Sequence, residues 1–210
     1  MEEQLIRRIT EKVLQEMASS TNPNTIPIGI SARHVHLCKE HLETLFGSGH
    51  NLTPQKELMG GQYAAAETVS LVGRNPTAIF KARVLGPLRP ATQIEISATD
   101  SRALGLSAPL RDSGNTAGSE AITLIGPKGA VHLNEGCIIA RRHIHMPPAD
   151  AIHHSLKDKD IVNVEIPGPR GGIMTEVLVR VDPSFTQEMH IDTDEANALG
   201  ITSDTHAIIK

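Results

Sequence analysis

The chain has 210 residues, a formal net charge of −4 and only 2% aromatic residues, so its core must be built from aliphatic side chains. This acidic balance excludes a broadly basic nucleic-acid surface, and no apolar run reaches the length of a membrane span. Two cysteines, Cys38 and Cys137, are too few for a disulfide framework, and they predict reduced thiols in a cytoplasmic protein.

Residues 1–25 predict an N-terminal amphipathic helix followed by a linker. Apolar side chains recur at helical spacing over residues 2–17, and residues 19–25 are polar and contain a proline. A lone helix of this length is marginal in water, so it needs a partner. This partner could be its own domain, a second subunit or another protein, and the linker favours a partner outside the chain's own domain. The mixed charges of its polar face argue against a membrane surface.

From residue 26 onward, short strands punctuated by glycine and proline turns predict a mainly β fold. The predicted strands are residues 26–30, 68–72, 78–85, 93–97, 121–125, 130–133, 137–140, 161–166, 173–181 and 206–209. Only short helices fit between them, among them residues 39–46 and 148–156. This density of strands is typical of barrels or sandwiches rather than βαβ units.

The chain also contains an internal duplication. Residues 33–37 (Arg-His-Val-His-Leu) recur as residues 142–146 (Arg-His-Ile-His-Met), and residues 93–96 resemble residues 188–191. A helical stretch ending in Leu-Gly follows the second segment in each copy. We therefore predict two similar β-rich halves, residues 26–115 and residues 116–210.

Each His-x-His pair predicts a metal site, because alternate side chains of a strand share one face. Aligning the two copies places Glu95 opposite His190. The predicted ligand groups are His34, His36 and Glu95, and His143, His145 and His190. Imidazole and carboxylate suit zinc, and three protein ligands leave an open, catalytic position. A ligand run extended to Cys38 is the weaker alternative, because the second copy has Pro147 at the matching place.

Basic residues just upstream of Glu95 predict an anion site. Arg89 lies between two prolines, and its planar guanidinium can donate two parallel hydrogen bonds to a phosphate. The alternative interpretation is that Arg89 is a solvated surface arginine. The remaining histidines do not belong to a repeated motif and are interpreted as solvated or structural. They are His41, His50, His132, His153, His154 and His206.

Five segments resemble the PduL-type phosphotransacylases of bacterial microcompartments, the phosphate propanoyltransferases. They are residues 28–37, 61–69, 84–89, 142–146 and 188–197, and the resemblance extends over residues 26–210. It implies two β-barrel domains with two zinc ions between them. It also implies the reaction acyl-CoA + phosphate ⇌ acyl phosphate + CoA, with the acyl chain, propanoyl or acetyl, left open.

The resemblance also implies roles for individual residues. The six ligands are those reached from the duplication, and Arg89 is the catalytic, phosphate-binding residue. Contacts to CoA are implied for Ser31, Lys56, Arg83, Leu85 and Asn197. Residues 1–25 resemble an encapsulation peptide that binds shell or cargo proteins of a microcompartment. A homodimer and a role in propanediol degradation are further expectations.

Two competing functions remain open from the residues alone. A dizinc hydrolase of thioesters or phosphate esters would use water as the nucleophile, and it would release thiol without phosphate. A non-catalytic, metal-stabilised microcompartment protein would have closed metal sites, and it would unfold when they are stripped.

Overall fold

The computed structural model describes residues 25–76 and 78–210, and this part of the chain is mainly β, as predicted. Its strands are β1 (Thr25–Ser31), β2 (His34–His36), β3 (Pro54–Glu57), β4 (Tyr63–Val72), β5 (Ile79–Gly86), β6 (Gln93–Glu95), β7 (Leu110–Arg111), β8 (Glu120–Ile125), β9 (Ala130–Ala140), β10 (His143–Met146), β11 (Ile161–Ile166), β12 (Gly172–Val181), β13 (Glu188–Asp192) and β14 (His206–Ile209). Its helices are α1 (Lys39–Phe46), α2 (Ala98–Ala103), α3 (Pro148–His153) and α4 (Thr193–Leu199), with a 3-10 turn at Met59–Gly61. The predicted N-terminal helix lies outside the described residues. None of the described helices has the length and apolar character needed to span a membrane.

The strands form two closed six-stranded barrels of identical topology. The first barrel has the order β9-β6-β2-β5-β4-β8, and the second has the order β1-β13-β10-β12-β11-β14. In both barrels the His-x-His strand is antiparallel to one neighbour and parallel to the other. The prediction of two similar barrels built by duplication is therefore confirmed.

The barrels exchange strands, so their limits differ from the predicted halves 26–115 and 116–210. β1 directly precedes β2 in the chain, yet it pairs with β13 and β14 of the second barrel. β8 and β9 precede β10, yet they pair with β4 and β6 of the first barrel. The duplication shows which segments are alike, whereas strand pairing depends on contacts that a repeat does not encode.

The chain crosses between the barrels directly before each His-x-His strand, at Ala32–Arg33 and at Arg141–Arg142. A second link joins the barrels where α2 and α4 begin, because the backbone N of Thr99 donates to Asp194 Oδ2 at 2.7 Å. These connections hold the two His-x-His strands on either side of one interface.

Each barrel has its own aliphatic core, as the composition predicts. Leu71, Ile94 and Leu124 are fully buried in the first core, and Ile144 and Val164 in the second. Complete burial of such a side chain contributes about 1.5–3 kcal/mol. The alternation of exposed and buried residues along β11 shows the period of two that produces these cores.

Candidate active site between the barrels

Strand register assembles both predicted ligand groups. In the antiparallel pair β2–β6, His34 lies opposite Glu95, and in β10–β13, His143 lies opposite His190. His36 and His145 follow two residues later and share the face of the preceding histidine. Within each group of three, the ligand atoms all lie within 4.8 Å of one another. The structure therefore groups the six residues as the duplication predicts.

Backbone carbonyls orient the first histidine of each pair. His34 Nδ1 lies 2.9 Å from the Ala32 carbonyl oxygen, and His143 Nδ1 lies 2.8 Å from that of Arg141. A ring nitrogen that donates to a carbonyl carries the hydrogen, which leaves Nε2 free to bind a metal ion. Both carbonyls belong to the crossover segments, so the strand exchange itself orients these two rings.

The third ligand of each group is contacted by the residue two positions before it. Gln93 Nε2 donates to Glu95 Oε1 at 2.6 Å, and Glu188 Oε2 lies 2.7 Å from His190 Nε2. Ser113 Oγ also donates to Glu95 Oε1, at 2.7 Å. Sequence reasoning missed these three residues. Gln93 and Glu188 occupy equivalent positions in the duplication, and this equivalence could have identified them as neighbours of the third ligand.

Burial keeps the second histidine of each pair neutral. It lowers the pKa of His36 to about 3, with the charges of His34 and Arg89 adding to the effect. It likewise lowers the pKa of His145 to about 2. Burial alone would raise the pKa of Glu95, but His34 and the hydrogen bond from Ser113 hold that pKa well below its usual range. Neutral imidazole and ionised carboxylate are the forms that bind a metal ion.

A buried nitrogen without a partner shows that the second group fits a metal. Among the described residues, His145 Nδ1 is the buried side-chain atom that lacks any hydrogen-bond partner. Buried polar atoms are nearly always satisfied, so an orphaned imidazole nitrogen needs an explanation such as an ion. The two donor sets, three imidazoles and two imidazoles with a carboxylate, both suit a divalent metal with one open position.

A cleft of about 590 Å³ between the barrels contains both ligand groups. It is lined by four of the five residues expected to contact CoA: Ser31, Lys56, Arg83 and Leu85. The fifth, Asn197, is exposed on α4 and lies outside this lining. The five histidines of the lining are those of the ligand groups.

Arg89 extends into the cleft from the loop after β5. Its backbone N donates to the Leu37 carbonyl at 2.9 Å, and Nη1 lies 3.4 Å from Ser113 Oγ. Burial lowers the pKa of its guanidinium, and the negative charge of Glu95 opposes that shift. Within the described residues the Arg89 guanidinium forms no ion pair, so it can receive an anionic ligand.

The remaining histidines and cysteines make local contacts away from the ligand groups. His41 contacts Thr92 Oγ1, and Cys38 Sγ accepts a hydrogen bond from the same hydroxyl. His50 contacts Glu67 Oε1 at 2.9 Å. Cys137 is buried in the core of the first barrel. Cys38 belongs to neither ligand group.

Two clusters of side chains that could hold a metal lie beside an arginine in a cleft shared by two barrels, and this arrangement is typical of an enzyme site for an anionic substrate. The family model for phosphate propanoyltransferase matches residues 27–202. The chain is 54% identical over 199 residues to the phosphate propanoyltransferase of Lachnoclostridium phytofermentans, covering 95% of this chain and 93% of that protein.

Two other relatives with the same name agree with this match. The protein of Thermotoga maritima is 55% identical over 175 residues, which covers 82% of this chain and 83% of the relative. The protein of Salmonella typhimurium is 47% identical over 203 residues, covering 95% and 93%. The chain belongs to the phosphate propanoyltransferase family and is an acyltransferase.

Proposed function

We propose that this enzyme interconverts acyl-CoA and phosphate with acyl phosphate and CoA at a two-zinc site between its barrels. The observation that carries the proposal is the cleft itself, in which two groups of candidate metal ligands flank a partly buried arginine. The relatives' shared name supports the same reaction class.

Six residues would hold the two zinc ions, in two groups of three. They are His34, His36 and Glu95 for one ion, and His143, His145 and His190 for the other. The ions would supply Lewis acidity, which stabilises negative charge developing on an oxygen. The chain prepares the ligands by keeping the second histidines neutral and by orienting Glu95 through Gln93 and Ser113.

Arg89 binds phosphate and directs one of its oxygens at the thioester carbonyl carbon. A bond forms between that oxygen and the carbonyl carbon, the C–S bond breaks, and the CoA thiolate leaves. The attacking hydrogen phosphate gives its proton to water, and the thiolate takes up one proton from water. The guanidinium of Arg89 suits this role because it offers paired N–H donors and is partly buried, which strengthens its attraction for an anion. No covalent acyl-enzyme is required.

The walls of the cleft bind CoA in this proposal. Lys56 and Arg83 are cations that attract its phosphates, and Leu85 offers an apolar contact. Ser31 ends β1, beside the crossover into the first barrel. A role for Asn197 rests on the family resemblance alone.

The test is free-thiol release from propanoyl-CoA and from acetyl-CoA by zinc-loaded enzyme, with and without phosphate. Release that depends on phosphate supports the proposal, and comparing the two substrates gives the acyl preference. Release without phosphate would instead indicate a thioester hydrolase. Arg89→Ala should raise the phosphate concentration needed for half-maximal rate, and an unchanged requirement would remove Arg89 from its role.

We also propose that residues 1–25 direct the enzyme into a bacterial microcompartment, where it serves propanediol degradation as a homodimer. The amphipathic pattern of residues 2–17 and the polar linker support this proposal. Fusing residues 1–25 to a fluorescent protein tests targeting, since the fusion should collect in purified microcompartments. Light scattering of the purified enzyme tests the dimer, and a mass near 22.6 kDa would contradict it.

A further inference from the structure

A second arginine, Arg180, faces the cleft from the opposite barrel. It lies on β12, where parallel pairing with β10 places it in register with His145, and it lines the same cleft. Its positive charge acts on His143, His145 and Arg89. Arg180, Arg89 and the second ligand group line one cleft, so the charge of Arg180 can act on both.

Other arginines of the cleft are engaged by protein groups. Arg33 donates to both carboxylate oxygens of Asp100, at 2.7 and 2.6 Å. Arg141 Nε lies 3.3 Å from Asp112 Oδ1. Arg83 Nη1 donates to two backbone carbonyls, at 2.9 and 3.0 Å. These guanidinium groups are therefore partly committed before any ligand binds.

Arg180 has no such partner among the residues that the structure describes. Within residues 25–76 and 78–210, its guanidinium forms neither an ion pair nor a hydrogen bond. Its Cζ lies 5.9 Å from the centre of the Phe185 ring, and that ring lies 4.3 Å from the His145 ring. Phe185 therefore forms a surface that positions Arg180 beside the ligand group while leaving its N–H donors available.

Arg89 and Arg180 repel each other across the cleft, and neither is paired with a carboxylate of the part of the chain that the structure describes. A dianionic tetrahedral group between them would remove this repulsion. Its oxygens offer two edges, so that each guanidinium can donate two parallel hydrogen bonds. Phosphate and the phosphoryl end of an acyl phosphate both have this chemistry.

We propose that Arg180 binds the same phosphoryl group as Arg89, so that this group is bound by one arginine from each barrel. This inference rests on the proposed phosphotransacylase function. It does not follow from the duplication, because Leu85 occupies the position in the first barrel that matches Arg180. Phosphate binding in this scheme requires both barrels, whereas the CoA contacts named above lie outside β12.

The experiment compares zinc-loaded Arg180→Gln, Arg180→Lys, Arg89→Gln and the double Gln variant. The matched control is Arg170→Gln, an exposed arginine of the second barrel outside the cleft lining. Phosphate binding is measured by calorimetry, and KM is measured separately for phosphate and for propanoyl-CoA. Thermal unfolding checks that each variant is folded, and the Lys variant replaces the Gln variant if the latter is not.

We expect Arg180→Gln to weaken phosphate binding and raise the phosphate KM about 10- to 100-fold, since charge-assisted hydrogen bonds are lost. The propanoyl-CoA KM should change less than about twofold, and Lys should restore part of the loss. Because both arginines act on one ligand, the loss in the double variant should differ from the product of the single losses.

The proposal would be overturned if Arg180→Gln left the phosphate affinity unchanged or raised only the propanoyl-CoA KM. It would also be overturned if the two arginines contributed independently to phosphate affinity in the double variant. The binding measurement also separates this proposal from the reaction. If wild-type enzyme transferred no acyl group to phosphate, the proposed function would fail, while the phosphate affinities of the variants would still decide the role of Arg180.

Discussion

The ion pair between Arg33 and Asp100 should stabilise the fold more than its counterpart in the second barrel. Asp100 Oδ2 and Oδ1 accept hydrogen bonds from Arg33 Nε and Nη2, and the Asp100 side chain is only 8% exposed. The duplication repeats this pair as Arg142 and Glu195, but with one contact of 3.4 Å between side chains that are 29% and 26% exposed. The two pairs therefore form a matched comparison.

The expected magnitudes follow from this geometry. A hydrogen bond to a charged group contributes about 1.5–3 kcal/mol. Because the Arg33 side chain is 36% exposed, hydrogen bonds to water will replace part of this stabilisation when the ion pair is lost. We therefore expect Asp100→Asn to cost about 2 kcal/mol. Glu195→Gln should cost about 0.5 kcal/mol, the range for partly exposed pairs, because glutamine can preserve the capping box at Asp192.

Urea unfolding of the zinc-loaded variants, with thermal unfolding as a second probe, measures the difference. At about 2–4 °C per kcal/mol for a chain of this size, Asp100→Asn should lower Tm by about 4–8 °C. Since Arg33 directly precedes His34, the same variant should also lose metal more readily. Equal costs for the two substitutions, or a cost for Asp100→Asn below about 0.5 kcal/mol, would refute the reasoning.

Three further predictions concern backbone packing, a thiol and a ligand. Gly73→Ala should destabilise the fold by about 2 kcal/mol or more, since an added Cβ would lie 2.2 Å from the Leu104 carbonyl oxygen, and urea unfolding measures this cost. Burial raises the pKa of the Cys137 thiol to about 12, so it stays protonated at pH 8. Mass spectrometry after brief iodoacetamide treatment of the folded protein should therefore find Cys38 modified before Cys137, and the reverse order would contradict this. His145→Ala should reduce bound zinc from two ions to about one per chain by elemental analysis, and retention of both would exclude His145 as a ligand.

Local patterns predicted the elements that depend on neighbouring residues. The helix predicted over residues 39–46 has those bounds, whereas the one predicted over residues 148–156 ends at His153. Residues 130–133 and 137–140 were predicted as two strands but form one strand, β9. Gly136, with a φ of 136°, allows the chain to bend there without ending the strand.

The duplication predicted the ligand groups, because equivalent positions in a repeat occupy equivalent places in each barrel. It did not predict residues that have no counterpart. Ser113 reaches Glu95 from the loop between β7 and β8, and only tertiary folding brings the two together. Arg180 was missed for the same reason, since Leu85 occupies its equivalent position.

The strand exchange explains why the two ligand groups share one cleft. Each crossover leaves one barrel and enters the other directly before the histidines, and its carbonyl orients the first ring. Residues 26–115 lack β8 and β9, which close the first barrel, and residues 116–210 lack β1, which closes the second. Neither predicted half can therefore complete a barrel alone, and the geometry of the two ligand groups depends on both halves folding together.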